Sequence, residues 1–405
     1  MKKKYILFIL IILVVTLLST IYIVINKKPS IIVENIEESE NIELIEDLTS
    51  EVYSTKKVSD YIKSINGTII DDYEIDTKTL GEVNISFMYL DFKNRKISTS
   101  FNITVVDTTA PIVLLGNKYT VVKGYNKKLE DVIFSGDNYD NNITRTITGN
   151  YDVNKVGEYN LNYSASDSSG NITSVDFTLN VIGKNTYKNT KTYFNEVIKN
   201  YKNDNNVIGI DVSKWQGDIN FNKVKSSGAD FVMIRIGYQN GIDGESVIDP
   251  YFIKNLKEAN DAGLKVGIYY YSYARSVEDV KKQVDWIINT LGDNNIDLPI
   301  TFDWECWTSF NNMNISLYEL NNIANAFLSE IENKGFKSML YSSKYYLEKI
   351  WNTKQELTWL AHYTKETDYS GDYLMWQLCD NGIISGINGY VDIDIMYLDN
   401  GDEVE

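Results

Sequence analysis

The sequence predicts a multidomain chain: an N-terminal transmembrane helix, small all-β sandwich modules and a C-terminal irregular (β/α) barrel, TIM-like but with helices missing. Three observations carry that prediction. An uncharged apolar run occupies Tyr5 to Ile25; a segment of alternating apolar and polar residues recurs at an offset of 76 residues; and from Val207 onward short apolar strands alternate with helical patterns. A chain of 405 residues has room for two or three domains, and 43% hydrophobic residues with only 4 Pro exclude wholesale disorder. Two Cys and a single His exclude a disulfide framework, a Cys-rich zinc cluster and any site that needs two histidines. A net charge of −17 argues against nucleic acid as a partner.

The apolar run follows Met1-Lys2-Lys3-Lys4 and ends at Asn26-Lys27-Lys28. About 20 apolar residues match the ~30 Å hydrocarbon core of a bilayer. A cleaved signal peptide has a shorter apolar region and a small-x-small cleavage site, whereas Thr20-Ile21-Tyr22-Ile23-Val24 is bulky. Residues 1–28 are therefore expected to be an uncleaved single-pass anchor in the cell membrane. The three leading lysines hold the N-terminus inside and leave the rest extracellular. Residues 29–60 carry nine acidic residues against Lys56 and Lys57 and are expected to form a solvated stalk.

Asp76–Val106 superimposes on Asp152–Ile182 without a gap. Identical pairs include Asp76/Asp152, Gly81/Gly157, Glu82/Glu158, Asp91/Asp167, Phe101/Phe177 and Val105/Val181. Val83, Ile85, Phe87 in one copy and Tyr159, Leu161, Tyr163 in the other have the period of half-buried strands, and Asp167-Ser168-Ser169-Gly170-Asn171 is a turn. The expected units are a degenerate β module over 61–107 and a second over 108–183, followed by a Lys/Asn-rich linker at 184–206. The junction Asp107-Thr108-Thr109-Ala110-Pro111 and the segment Asp137-Asn138-Tyr139-Asp140-Asn141-Asn142 resemble bacterial immunoglobulin-like surface modules. An Asp/Asn cluster such as 137–142 has the oxygen donors calcium takes, although a plain turn is its commoner use.

Within 207–405 eight strands are expected, at 207–213, 231–237, 265–273, 296–305, 338–343, 357–363, 373–378 and 391–397, with helices at 251–262, 276–291 and 315–334. In (β/α) barrels function collects at the C-terminal ends of strands. Asp211 lies near the end of the first strand, Asp303 and Glu305 at the end of the fourth, and Asp392 in the last. Asp303 and Glu305, two apart on a strand, project from one face about 6–7 Å apart. Crowded carboxyls have raised pKa values, and a pair of one protonated and one ionised carboxyl is what glycosidic cleavage requires. Trp215, Tyr269, Tyr271, Trp304, Trp307 and Trp376 suit stacking on sugar rings, although aromatics in barrel strands more often fill the core.

Gly209-Ile210-Asp211-Val212-Ser213-Lys214-Trp215-Gln216-Gly217, Phe302-Asp303-Trp304-Glu305, Trp359-Leu360-Ala361, Trp376-Gln377 and Gly389-Tyr390-Val391-Asp392 occur in the order that resembles glycoside hydrolase family 25, the cellosyl-type lysozymes, over residues 205–400. The resemblance implies hydrolysis of peptidoglycan between N-acetylmuramic acid and N-acetylglucosamine. It implies Glu305 as general acid, Asp303 assisting the sugar's acetamido group, and Asp211 and Asp392 as the other acidic cleft residues. Tyr269, Tyr271, Trp304, Tyr341, Trp376, Gln377 and Trp215 are the expected substrate-binding residues, and no metal or cofactor is implied. Many members carry His where this chain has Tyr270 and Asn where it has Asp394. The lone His362 has a structural or surface role as its plainer reading, and Cys306 and Cys379 stand near strand ends where a disulfide is geometrically open. The competing function is a non-catalytic wall-binding or adhesion protein on a hydrolase-like barrel. A third is hydrolysis of chitin-like polymers.

Overall fold

A computed structural model describes residues 42–185, 190–353 and 357–398. It divides into two units, one ending at Val106 and one beginning at Asp107. Both are built mainly from strands.

In the first unit, β1 (Ile42–Leu44) pairs with β3 (Ile62–Ile65), and β2 (Thr49–Glu51), β6 (Lys96–Val106), β5 (Gly81–Asp91) and β4 (Gly67–Ile69) form a four-stranded sheet in that order. Alternation along β5 and β6 turns Ile85, Phe87, Tyr89, Ile103 and Val105 inward against Val58 and Tyr61. Residues 42–60, read from their charge as a stalk, thus supply β1, β2 and the buried Val58 to this unit. Their acidic side chains face water while the intervening apolar ones are used.

The second unit starts with a module in which β7 (Ile112–Val113) pairs with β9 (Ser135–Gly136). Here β10 (Thr144–Thr148), β11 (Gly157–Ser166), β12 (Ile172–Ile182) and β8 (Lys118–Val122) form a four-stranded sheet. Leu161, Tyr163, Phe177, Leu179 and Val181 fill its core with Leu129 and Ile133. Under the 76-residue offset the two long hairpins share one register: Val83 faces Ile103, and Tyr159 faces Leu179. In place of the expected immunoglobulin-like sandwich of two antiparallel sheets, each module has one four-stranded sheet with a parallel outer pairing and a two-stranded ladder.

The remainder is a closed eight-stranded barrel: β14 (Asn206–Val212), β15 (Phe231–Gln239), β17 (Lys265–Ser272), β18 (Ile300–Trp304), β19 (Ser338–Ser343), β20 (Thr358–Ala361), β21 (Met375–Ile383) and β22 (Val391–Tyr397). The short β13 (Thr192–Tyr193) and β16 (Ser246–Ile248) lie at its margins. The TIM-like (β/α) expectation is corrected here. β22 runs antiparallel to both β21 and β14, and no helix connects β20 to β21 or β21 to β22. A parallel crossover needs a dozen residues or more, and only 384–390 separate β21 from β22, so the chain returns antiparallel. The longest helices, Phe252–Asp261, Val277–Leu291 and Leu317–Asn333, pack outside on one part of the barrel, each with a single apolar face such as Ile323, Phe327 and Ile331.

The membrane expectation is corrected too. Among the described residues no helix is long and apolar enough to cross a membrane, and residues 1–28, on which the anchor and the extracellular placement rested, lie outside the described residues.

The module is seated on the barrel at the 3₁₀ segment Cys306–Asn312, directly after Glu305. Phe134 packs against Trp307, Phe310 and Tyr346 with ring centroids 5.7, 4.9 and 6.1 Å apart. Asn311 Nδ2 donates to the carbonyls of Glu130 and Ile133, each at 3.0 Å, and Leu317 N donates to Asp137 O at 2.7 Å. Gly136 makes the close approach possible, since a Cβ there would meet Phe310 at 2.7 Å and Leu317 at 3.0 Å.

Candidate active site

The strand order brings the acidic residues of four strands to one mouth. Asp211 near the end of β14 lies opposite Asp392 on β22. Tyr271, Asp303 and Tyr341 stand in register across β17, β18 and β19, so they form one inward-facing layer. Glu305 follows β18 by one residue. Together with Trp215, Arg235, Tyr269, Trp359, Tyr363, Gln377 and Asp380 they line a cleft of about 290 Å³.

Alternation explains why two expected contacts are missing. Asp303 points into the barrel, so Trp304 points out; it is fully buried, donates Nε1 to Ala274 O at 3.1 Å and packs edge-on to Trp307. Trp376 likewise faces away, donating Nε1 to His362 O at 2.8 Å and packing against Tyr201. Trp307 stacks on Tyr346 at 3.7 Å and is core. Of the expected aromatics, Trp215, Tyr269, Tyr271 and Tyr341 line the cleft. Trp215 is 78% exposed at the rim, with Lys214 Nζ 5.2 Å from its ring.

Gln377 organises the floor. Its Oε1 accepts from Tyr341 at 2.8 Å and Tyr363 at 2.9 Å, and its Nε2 donates to Asp211 Oδ2 at 2.7 Å. Behind this row lies Asp394, fully buried and accepting from Trp359 Nε1 at 2.8 Å. Arg235 is tied by Nε and Nη2 to Asp249 Oδ2 at 2.9 and 2.7 Å. It is the cation facing the carboxyls, and it draws Asp303 down against a larger upward push.

Burial sets the protonation of the cluster. Asp211 is held well above the ordinary carboxylate range by burial and by the neighbouring Asp394, against the pull of the Gln377 hydrogen bond. Asp303 is raised well above its usual value by burial and by Glu305 beside it, with which it shares a hydrogen bond. Burial also raises Glu305, while that hydrogen bond lowers it. Asp392 is pushed up to about 9 by burial and by Asp211. Asp394 is raised by burial and by Asp392. Glu305 is the most exposed of these, with Asp392 half-buried and the others buried, and it also lines an adjoining cleft with Tyr341, Tyr363, Lys344, Tyr345 and His362.

Sequence reasoning missed Arg235, Trp359, Tyr363 and Asp380 in the lining and the buried carboxyl behind it, Asp394. The signal available for Asp394 was its spacing: it is two residues from Asp392 on a strand and therefore on the same face. Tyr270, the other departure from the family pattern, faces outward and bonds Ser246 Oγ at 2.7 Å. His362 bonds Thr367 Oγ1 through Nδ1 at 2.9 Å. Cys306 and Cys379 are both free and buried, and no disulfide joins them.

Comparison with known proteins decides the family of this barrel: residues 210–387 match the family model for glycosyl hydrolases family 25. They are a family 25 glycosyl hydrolase domain. The chain is thereby a glycosidase of the lysozyme type, and the family's substrate is peptidoglycan. The domain is similar to the "Autolytic lysozyme" of Clostridium acetobutylicum, 27% identical over 189 residues, which cover 46% of this chain and 54% of that protein. It is similar to "Lysozyme M1" of Streptomyces globisporus, 26% identical over 209 residues, 46% of this chain and 66% of that one. The "Uncharacterized protein YegX" of Escherichia coli O157:H7 is 28% identical over 204 residues, 49% of this chain and 71% of that one. Among solved structures the Clostridium perfringens spore cortex lytic enzyme SleM aligns at 23% identity and a TM-score of 0.42, covering 48% of this chain and 68% of that one.

Proposed function

We propose that the family 25 domain is an N-acetylmuramidase. It hydrolyses the β-1,4 bond between N-acetylmuramic acid and N-acetylglucosamine, with Glu305 as general acid and Asp303 assisting the substrate's acetamido group. The observation that carries this reading is the position of Glu305, an accessible carboxyl common to two adjoining clefts with Asp303 buried at its side. A linear glycan laid through both clefts presents one glycosidic bond to Glu305, with sugars on either side. Trp215 and Tyr271 offer ring faces to those sugars.

Asp303 and Glu305 hold one proton between them more readily than two charges, and an acetamido N–H donating to Asp303 favours its ionised form, which leaves the proton on Glu305. Glu305 delivers that proton to the glycosidic oxygen as the bond to C1 breaks. The acetamido carbonyl oxygen attacks C1, while the Asp303 carboxylate accepts the acetamido N–H and offsets the positive charge of the cyclic intermediate. Water then attacks C1 from the opposite face as the C1–acetamido oxygen bond breaks and the acetamide is restored, and Glu305 takes the water's proton, which restores the acid with retained configuration. No protein nucleophile is needed at C1.

The test compares the full chain and Glu305→Gln on isolated peptidoglycan, with products reduced by borohydride and analysed by mass spectrometry. New muramitol ends from the wild type, with a loss of about 10²–10⁴-fold in the variant, are expected. Glucosaminitol ends would overturn the bond assignment, and equal rates would remove Glu305 from its role.

A further inference from the structure

Three turns of the module at 107–185 converge on one point outside the lining of the cleft. Asp107 precedes β7, Asp137 follows β9 and Asp167 follows β11, and one carboxylate oxygen from each lies within 4.8 Å of the others. All three residues are at least nine-tenths buried, with exposures of 6%, 1% and 9%. Local bonds hold the carboxylates in place. Asp137 Oδ1 accepts from the backbone N–H of Tyr139 and Asp140 at 2.8 and 2.9 Å. Asp167 accepts from Asn171 N and Nδ2, each at 2.8 Å, and Asp107 Oδ1 accepts from Thr109 N at 3.2 Å. The same Asn171 Nδ2 reaches Asp107 O at 3.0 Å, and Asp140 accepts from Ser168 N and Oγ, so the three turns are stapled to one another.

Hydrogen bonding leaves one group unexplained. Asp137 Oδ2 is buried and has no partner. A buried carboxylate oxygen with nothing to bond costs about 1–3 kcal/mol or more unless a cation meets it. We propose that Asp107, Asp137 and Asp167 are the protein ligands of a bound Ca²⁺. The donors are all oxygens, which suits a hard cation. Oxygens that all lie within 4.8 Å of one another can meet a single ion at a Ca–O distance of about 2.4 Å, and the flexible shell of calcium tolerates their spread better than the strict octahedron of Mg²⁺. Waters complete the six to eight oxygens calcium takes. The site differs from the cluster at 137–142 visible in the sequence, because two of its three carboxylates come from turns thirty residues away on either side. It also adjoins the seat on the barrel: the carbonyl of Asp137 takes the N–H of Leu317, and Gly136 faces Phe310.

The test is calorimetric titration of the EDTA-treated full chain with CaCl₂ and with MgCl₂, together with Asp137→Asn and Asp167→Asn, each melted with and without calcium. The wild type should take one Ca²⁺ per chain with a Kd on the order of 10⁻⁴ M and Mg²⁺ at least about tenfold more weakly. Its first melting transition should rise by about 4–8 °C in saturating calcium. Asp137→Asn keeps the Oδ1 acceptor for the two N–H groups, so it should fold and melt in EDTA at least as high as the wild type, and it should lose both the heat of binding and the shift. A wild type with no saturable calcium binding up to 10 mM, or variants that bind as it does, overturns the site.

Discussion

Gln377 donates its Nε2 to Asp211 Oδ2 at 2.7 Å, which makes a residue of β21 the fixed partner of a carboxyl on β14, across the barrel mouth. The same amide accepts from Tyr341 and Tyr363, so one side chain sets the orientation of three cleft groups.

Gln377→Leu keeps the volume and removes all three bonds, leaving buried polar groups unpaired at a cost of about 1–3 kcal/mol each. Peptidoglycan hydrolysis should fall about ten- to a hundredfold. Unchanged turnover in a reducing-end assay would exclude Gln377 from positioning the site.

The carboxyl cluster makes stability depend on pH with a definite sign. Asp392 titrates near 9 in the folded chain and near 4 when unfolded, so the folded state holds the extra proton between those values. Stability is therefore full below about pH 4 and declines as pH rises toward 9, with Asp211, Asp303 and Asp394 adding in the same direction. Asp392→Asn should flatten the decline by up to about 1.4 kcal/mol per pH unit in melts between pH 5 and 9. A slope equal to that of the wild type would refute the assignment.

Phe134 joins the module to the segment that follows Glu305. Phe134→Ala should lower stability by about 3–5 kcal/mol and reduce turnover, because Trp307 and Phe310 lose the ring that supports them. Normal melting and normal rates together would show that the seat bears neither on the barrel nor on Glu305.

Burial and the nearby Asp303 and Glu305 push the Cys306 thiol up, and burial takes Cys379 to about 11. Both thiols are thus protonated as well as inaccessible. A native titration with a thiol reagent should find neither, and the same titration in denaturant should find both. Rapid labelling of either in the native chain would count against this.

Much of the barrel was legible in short windows. The eight apolar strands and the long helices announce themselves by periods of two and 3.6, and Glu305, Asp303, Asp211 and Asp392 stand at strand ends where their order points to one chemistry. The cleft aromatics were half legible: Tyr271 and Tyr341 line it, whereas Trp304 and Trp376 look the same in sequence yet face the other side of their strands. A one-residue difference in register reverses a side chain, and composition carries no trace of it.

What the sequence by itself determined is therefore local: where strands and helices lie, which residues repeat at 76, and which carboxyls stand at strand ends. Tertiary structure alone decided the antiparallel return of β22, the joining of Gln377 to Asp211, the seat of Phe134 on Trp307, and the meeting of Asp107, Asp137 and Asp167. The reason is physical. Periodicity arises from neighbours a few residues apart, whereas these contacts join segments separated by about thirty to more than 160 residues, and only the closing of sheets brings them together.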